Sequence, residues 1–490
     1  MLRLPTSPQR THGKRIDNPY LPLLAVRVFL VLVASWLPLN AVAAEGLGWE
    51  FEPYRIDAVV ALDVAGGLAE RLASELPRHL EGRAVSSMGP TWLLKPQIAT
   101  GVQRHLVLSN ITTIADPPAA QFRTDGDKLL LIAIKWQADG FEITAREFDR
   151  FVQKWGMPLR RDLRQADMLG EQAFALASQA VASLARFEPD PNDSRRVLLQ
   201  PRAAALARPD PDATWTQAGD VFLPMIRRTT RSGELVQGGA QPVPWTYIEA
   251  VEVDGDKIVG RVHSGTRQPL PARRQGRIEP IAIALRADPG ETTLRLESRT
   301  DADKPLVGYD VFAQDTGEEA TTPIALSDAE GRVQVPAGGT RVQIVFVKNG
   351  GQLLARFPLV PGAESEVDVP LPDDDMRLAA EARLATLREE VVDVVARRNI
   401  LMARARQKIN EGDFAAAQEL LQALDELPGR AQFNLTLTTA MRLLRSDDPQ
   451  MQRRIDQLFE ATRAVVNQYL DVRPISDLHN ELREARRKKT

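Results

Sequence analysis

Residues 325–338 read "ALSDAEGRVQVPAG" and combine a turn with the start of a strand. Asp328 and Gly331 bracket the turn, and glycine can take the positive φ that such a turn requires. Val333 and Val335 then alternate with polar residues, as in a strand that buries one face. Seven short β-rich runs of this kind lie between residues 291 and 371. Their spacing predicts a β-sandwich.

The segment 291–371 resembles the carboxypeptidase regulatory-like domain, a transthyretin-like β-sandwich common in exported bacterial proteins. The residues that carry the resemblance are Gly308, Val311, Asp328, Gly331, Val333 and Val335. The resemblance implies an accessory fold without catalytic residues of its own. Across the whole chain, the arrangement resembles secreted proteins of the planctomycete type, which bears on location and not on activity.

Residues 1–44 are typical of a signal peptide. A basic leader precedes the apolar run "VFLVLVASWLPL" at 28–39, and "NAVAAEG" follows it. This pattern predicts cleavage after Ala43 or Ala44 and export to the periplasm or cell surface. The alternative is an uncleaved anchor, although the run is shorter than the ~20 residues that span a bilayer.

The composition of the 490-residue chain excludes several kinds of chemistry. It contains no cysteine, so disulfides, thiolate nucleophiles, cysteine-ligated metals and a lipoprotein anchor are excluded. The formal net charge is −3, and without residues 1–44 the chain carries 57 Lys and Arg against 64 Asp and Glu, a balance that argues against a general nucleic-acid binder. No segment after the signal peptide is long and apolar enough to predict a transmembrane span.

The predicted fold class is multidomain α+β. The predicted units are a signal peptide at 1–44, a mixed α/β domain at 45–190, a linker at 191–213, a small β-barrel-like all-β unit at 214–290, the β-sandwich at 291–371 and C-terminal α-helical hairpins at 372–490. In the last unit an apolar stripe at helical spacing is interrupted by Arg398. Residues 403–427 resemble a single tetratricopeptide helical hairpin.

The segment "TAREFDRFVQKWG" at 144–156 permits two interpretations. Glu147 and Asp149 are candidates for a pair of catalytic carboxylates. Alternatively, Thr144 and Glu147 form a capping box at the start of a helix with an apolar stripe. The structural interpretation is favoured, and a second helix is predicted over residues 161–187.

No catalytic, cofactor-binding or metal-binding residue is predicted. The five histidines are scattered and form no zinc motif, and the sequence contains no nucleophile elbow, P-loop or dinucleotide fingerprint. The aspartates between 188 and 213 lack the glycine and distal glutamate of a calcium loop, so they indicate a linker.

The middle of the chain is more basic than the rest. Between Arg195 and Arg286 there are fourteen Lys and Arg against nine Asp and Glu. One interpretation is solvated arginines on outward strand positions. The other is a docking surface for an anionic partner, in which two sequence clusters meet on adjacent strands. The candidate residues are Arg227, Arg228, Arg231, Arg273, Arg274 and Arg277.

These observations predict an exported, non-catalytic binding or scaffolding protein of the bacterial cell envelope. Its expected partner is an envelope protein or an anionic envelope polymer, with no nucleic acid and no membrane span after signal removal; the oligomeric state is left open. The alternative is an envelope hydrolase with its active site in residues 45–190 and accessory β modules. A deep cleft with converging carboxylates and an acid of raised pKa would favour that alternative.

Overall fold

The computed structural model describes residues 48–114, 122, 125–210, 213, 215–232, 234–255, 257–267, 269–270 and 277–489. The predicted signal peptide therefore lies outside the described residues. The chain is a multidomain α+β protein with a mixed α/β sheet, a closed barrel, a two-sheet sandwich and C-terminal helices, as predicted. None of the helices in the described part of the chain has the length and hydropathy needed to cross a membrane.

The N-terminal unit is a six-stranded mixed sheet with helices on both faces. Its strands are β1 (Tyr54–Asp63), β2 (Trp92–Ile98), β3 (Lys128–Gln137), β4 (Gly140–Asp149), β5 (Lys154–Trp155) and β6 (Leu159–Leu163). Its helices are α1 (Gly67–Met88), α2 (Gly101–Asn110) and α3 (Leu169–Ala180), with short 3₁₀ turns at Trp49–Phe51, Gly89–Thr91 and Ala166–Met168. The order is β2-β1-β3-β4-β5, with β6 also paired to β4, and β1 is parallel to both neighbours.

Strand β1 explains why this sheet carries helices on two faces. Ile56, Ala58 and Val60 belong to the large core with α1 and α3, whereas Val59 and Ala61 pack with α2 on the other side. A strand that is apolar on both faces must be covered on both.

Two helices predicted in this unit are wrong. Residues 144–149 belong to β4, which pairs with β3 along its whole length and with β6 on its other edge. Residues 161–187 contain the end of β6, helix α3 and a further strand. The apolar stripe that suggested the first helix is divided among β4, the turn after it and β5, which hold Phe148, Val152 and Trp155 respectively. Burial of both faces of β4 further removes the strict alternation that would have marked a strand.

The next unit is a barrel closed by six strands. The unit has seven strands in its described part, and all except β10 form the ring: β7 (Leu184–Pro189), β8 (Arg196–Pro201), β9 (Val221–Thr229), β10 (Leu235–Pro242), β11 (Thr246–Asp254), β12 (Lys257–Ser264) and β13 (Ile278–Ala284). Along the sheet the order is β10-β9-β11-β12-β8-β7-β13, and β13 also pairs with β9, which closes the barrel. Strand β10 is attached to the later part of β9.

The barrel interior is tightly filled and continuous with the N-terminal core. A Cβ on Gly260 would lie 2.5–2.9 Å from side-chain atoms of Ile248, Leu199 and Val197. A single hydrophobic cluster contains barrel residues such as Ile281 together with Tyr54 of the sheet. Strand β8 also lies within 191–213, the segment expected to be a linker. Residues 48–284 are therefore joined by one core rather than by a flexible connection.

The predicted seven-stranded sandwich is present. Its strands are β14 (Thr292–Ser298), β15 (Asp310–Asp315), β16 (Thr322–Leu326), β17 (Arg332–Val335), β18 (Gln343–Asn349), β19 (Gln352–Leu359) and β20 (Glu366–Leu371). They form two sheets, β17-β14-β20 and β16-β15-β18-β19. Gly331 has a φ of +73°, and the Asp328 carboxylate accepts hydrogen bonds from the backbone N–H groups of Glu330 and Arg332.

The last part of the described chain, residues 375–489, consists of five helices. They are α4 (Asp375–Glu411), α5 (Phe414–Asp425), α6 (Arg430–Leu443), α7 (Pro449–Tyr469) and α8 (Arg473–Lys489). The first half of α4 packs with α6 and α7, and its second half packs with α5 and α8. At the start of α4, the carboxylate of the buried Asp374 pairs with Arg377. The backbone N–H of Asp374 donates to the hydroxyl of Tyr309 in the sandwich at 3.0 Å.

Candidate functional site

The two carboxylates considered from the sequence are buried together on β4. Glu147 and Asp149 are two residues apart and lie on the same face of the strand. On β3, Lys128 is directly opposite Asp149 in register. Its ammonium donates to Asp149 Oδ2 at 2.5 Å and also to Glu147 Oε1. The side chains of all three residues, the buried ionic cluster, are at most 2% exposed.

The backbone fixes the remaining carboxylate oxygens of the cluster. Glu147 Oε2 accepts from the backbone N–H of Ala182 at 2.6 Å, which connects β4 to the segment between α3 and β7. Asp149 Oδ1 accepts from the N–H groups of Phe151 and Val152 at 2.9 and 3.0 Å. These bonds hold the turn after β4, so the carboxylates organise the chain around them.

Burial and charge act in opposite directions within the cluster. Burial raises the pKa of Glu147 to about 7, with attraction to Lys128 opposing the shift and repulsion from Asp149 adding to it. Burial alone lowers the pKa of Lys128, but attraction to Asp149 and Glu147 outweighs it, and the pKa lies above its usual range. Two carboxylates and one ammonium therefore favour uptake of one proton near neutral pH.

The space beside Glu147 is small. A cavity of about 30 Å³ lies between the sheet and the barrel, with Trp155, Ala182 and Ile283 among its lining residues. This volume is enough for a few water molecules, since one water needs roughly 10–15 Å³ of such space. The cluster thus has the raised pKa expected of a catalytic acid, but the described residues leave no room beside it for a polymer substrate.

A second buried cation stabilises the start of the same sheet. The guanidinium of Arg202 pairs with Glu52 and Asp127, each at 2.9 Å, and lies 5.0 Å from the centre of the Tyr54 ring. Burial alone raises the pKa of Asp127, but Arg55 and Arg202 together hold it below its usual value. Arg202 follows β8, so this ion pair joins the barrel to the sheet.

Arg227 of the predicted docking set is engaged within the fold. Its Nη1 donates to Glu279 at 2.9 Å, and its Nε donates to the carbonyl of Phe151 at 3.2 Å. The guanidinium also lies 4.0 Å from the centre of the Phe151 ring. Arg227 therefore connects the barrel to the N-terminal sheet, and its role is structural.

Three other predicted docking residues lie close together at one end of the barrel. Arg228 near the end of β9, Arg231 in the following turn and Arg277 before β13 are all exposed. Arg228 is opposite Ile278 in the pair of β9 and β13, so Arg277 lies beside Thr229. The backbone N–H of Thr229 donates to the carbonyl oxygen of Arg277 at 3.0 Å. Strand alternation directs Arg228 and Arg277 to opposite faces, so the three form a rim rather than a flat patch.

We call Arg228, Arg231 and Arg277 the basic rim. Within the described residues, none of the three forms an ion pair, and Glu234 in the same turn accepts a hydrogen bond from Ser232. The remaining members of the predicted set, Arg273 and Arg274, lie outside the described residues. The two sequence clusters thus approach each other through adjacent strands, while the docking function stays a prediction.

The helical unit contains a groove that was not predicted from the sequence. The helical groove has a volume of about 490 Å³ and lies between the α5–α6 and α7–α8 connections. Arg398 of α4, Arg430 and Arg483 supply its cations. A signal was visible in the sequence, because Arg398 interrupts the apolar stripe of α4. Recognising the groove also required the positions of α6 and α8, which the sequence pattern of α4 does not contain.

Within the described ranges, no group of three or more His, Asp and Glu side chains is arranged to hold a metal ion. Comparison with known proteins assigns no family, since no family model and no curated protein matches the chain. Among solved structures, TolB from Acinetobacter baumannii is 13% identical over 67% of this chain and 97% of that chain, with a TM-score of 0.17. BcpA, the major pilin subunit of Bacillus cereus, is 9% identical over 50% of this chain and 71% of that chain, with a TM-score of 0.13. TM-scores this low do not indicate a shared fold.

Proposed function

We propose that this chain is an exported, non-catalytic binding or scaffolding protein of the bacterial cell envelope. In this proposal the basic rim binds an anionic envelope polymer or an acidic envelope protein through phosphate or carboxylate groups. The supporting observation is that Arg228, Arg231 and Arg277 all lie at one end of a closed barrel, exposed and without ion pairs among the described residues.

The chemistry of the rim suits a flexible anionic chain. The guanidinium group presents a planar fork of donors that matches phosphate and carboxylate oxygens. Because the arginines lie on both faces of the strand ends, a polymer that bends around the rim contacts more of them than a flat surface does. Attraction between exposed charges is screened beyond ~10 Å at 0.1 M salt, so binding through the rim depends on salt.

Export is supported by the basic leader and the apolar run at 28–39. The proposal includes cleavage after Ala43 or Ala44. N-terminal sequencing of material secreted by an expression host tests this step. A mature chain that begins at Ala44 or Glu45 is expected, and one that retains residues 28–39 would contradict cleavage.

The second candidate function is that of an envelope hydrolase, and the raised pKa of Glu147 is the observation that favours it. Against it, Glu147 bonds to Lys128 and to the backbone of Ala182, and only about 30 Å³ of space adjoins it. A hydrolase would lose activity on envelope polymers in Glu147→Gln. The binding proposal predicts no turnover in the parent protein.

The rim is tested with the full-length chain on phosphocellulose and on a polyglutamate resin. Reversing all three rim charges to glutamate should move elution to clearly lower salt. The matched control reverses Arg383, Arg397 and Arg404, which are exposed on α4, and thus changes the net charge equally. A parent that is not retained, or two variants that elute alike, would overturn the proposal.

A further inference from the structure

We propose that the helical groove is a second binding site, and that it takes an acidic peptide segment of a partner protein. The arginines hold the carboxylates of the peptide, and an apolar side chain of the peptide packs on Leu427, Val472 and Ile475. The site is in the C-terminal helices and uses none of the residues of the basic rim, so it goes beyond the function proposed above.

The innermost cation of the groove has no carboxylate partner. Arg398 is 5% exposed, and its Nη2 donates to the backbone carbonyl of Asp471 at 2.8 Å. Among the described residues no carboxylate forms an ion pair with it. Burial lowers its pKa, and the attraction of the Asp471 carboxylate does not compensate for this. A buried guanidinium held by a carbonyl alone gains strongly from an added carboxylate.

Two exposed arginines at the edge of the helical groove add to this preference for a negatively charged ligand. Arg430 and Arg483 are exposed beside it, and Arg483 donates to the neutral side chain of Asn480. Asp425 is the single carboxylate among the described lining residues, and it is bonded to His479 at 3.1 Å. The lining therefore carries more positive than negative charge even with a neutral histidine.

Backbone groups of α6 point to the same ligand charge. The helix begins at Arg430, and Gly429, which also lines the groove, is its N-cap. No side chain of the described residues caps this end. The first N–H groups of a helix carry partial positive charge and favour an anion. Together with Arg398 and Arg430, this gives the lining of the groove three sources of positive potential.

The apolar part of the groove favours a peptide over a free anion or a purely charged polymer. Val472 is 54% exposed, and Ile475 and Leu427 are half-buried beside it. A peptide with alternating acidic and apolar side chains fills both parts of the lining. Charge complementarity thus fixes the sign of the partner, and the exposed aliphatic side chains fix its amphipathic character.

The test measures binding of a short fluorescein-labelled peptide that alternates glutamate and leucine to the full-length chain by fluorescence anisotropy. The double variant Arg430→Glu/Arg483→Glu is expected to weaken binding about tenfold or more. Both residues are exposed, and thermal melts verify that the variant is folded. The matched control Arg397→Glu/Arg404→Glu changes the net charge equally on exposed positions of α4 that do not line the groove.

A second peptide, with glutamine in place of glutamate, separates charge from apolar contact. The proposal expects this peptide to bind at least about tenfold more weakly than the acidic one. Equal binding of the two peptides, or equal binding by parent and double variant, would overturn it. Sedimentation of the parent alone gives one more contrary outcome: a dimer that the double variant loses would assign the groove to a second copy of the chain.

Discussion

Lys128 and Arg398 are both buried cations, but the fold treats them differently. Lys128 lies between two carboxylates of the same sheet, and their attraction raises its pKa. Arg398 is held by a backbone carbonyl, and burial lowers its pKa. A buried charge whose partners belong to its own chain contributes to the folded state. A buried charge that lacks such partners, and that lines a groove, is available to a ligand.

The largest expected effect is on stability and comes from removing Lys128. Lys128→Met leaves two carboxylates buried together without their cation, so the free energy of unfolding should fall by about 3–5 kcal/mol. Arg398→Met removes a single bond to a carbonyl and should cost about 1–2 kcal/mol. Denaturant titration of both variants measures the difference. Equal losses would remove the distinction between the two cations.

The pH dependence of stability provides the next comparison. Because the pKa of Glu147 is about 7 in the folded state and its ordinary value is 4.5, the folded state binds the proton more tightly. Stability should therefore fall as the pH rises from 4.5 towards 7, by up to about 1.4 kcal/mol per pH unit. Glu147→Gln should remove this slope. A parent and variant with parallel stability profiles over that range would contradict the role of Glu147.

Arg227 and Arg228 are neighbours in sequence and show the same division on a smaller scale. Arg227→Ala breaks the bond to Glu279 and the contact with Phe151, so a loss of about 1–2 kcal/mol in stability is expected. Arg228→Ala should change stability by less than about 0.5 kcal/mol. Retention on phosphocellulose should instead fall more in Arg228→Ala than in Arg227→Ala. Thermal melts measure the stability of the two single variants, and elution in a salt gradient measures their retention.

Much of the fold could be predicted from local patterns. Sandwich strands such as β14, β17 and β18 alternate one buried face with one more exposed face, and Gly331 marks the turn before β17. The local sequence is therefore sufficient to predict them. Strand β4 could not be identified in this way, because both of its faces are buried and Glu147 mimics a capping residue. Its state is set by pairing with β3, and that pairing includes Lys128, nineteen residues earlier in the chain.

The candidate sites divide in the same way. The approach of Arg228 and Arg277 was predictable, because both lie at the ends of recognisable strands. The contacts of Arg227 were not predictable, because its ring partner Phe151 lies in the turn after β4, in a different unit. The helical groove combines residues from α4, α6 and α8, and only Arg398, polar within an apolar stripe, indicated it in advance.

Hydrogen–deuterium exchange with and without the glutamate–leucine peptide compares the helical groove with the buried ionic cluster in one experiment. The peptide is expected to slow exchange at 424–430 and 470–483, which line the helical groove, and to leave 128–149 unchanged. That result would show that the buried ionic cluster is complete within the chain, whereas the cations of the groove respond to a ligand. Protection at 128–149, or no protection at 424–430 and 470–483 with peptide in excess, would contradict the account.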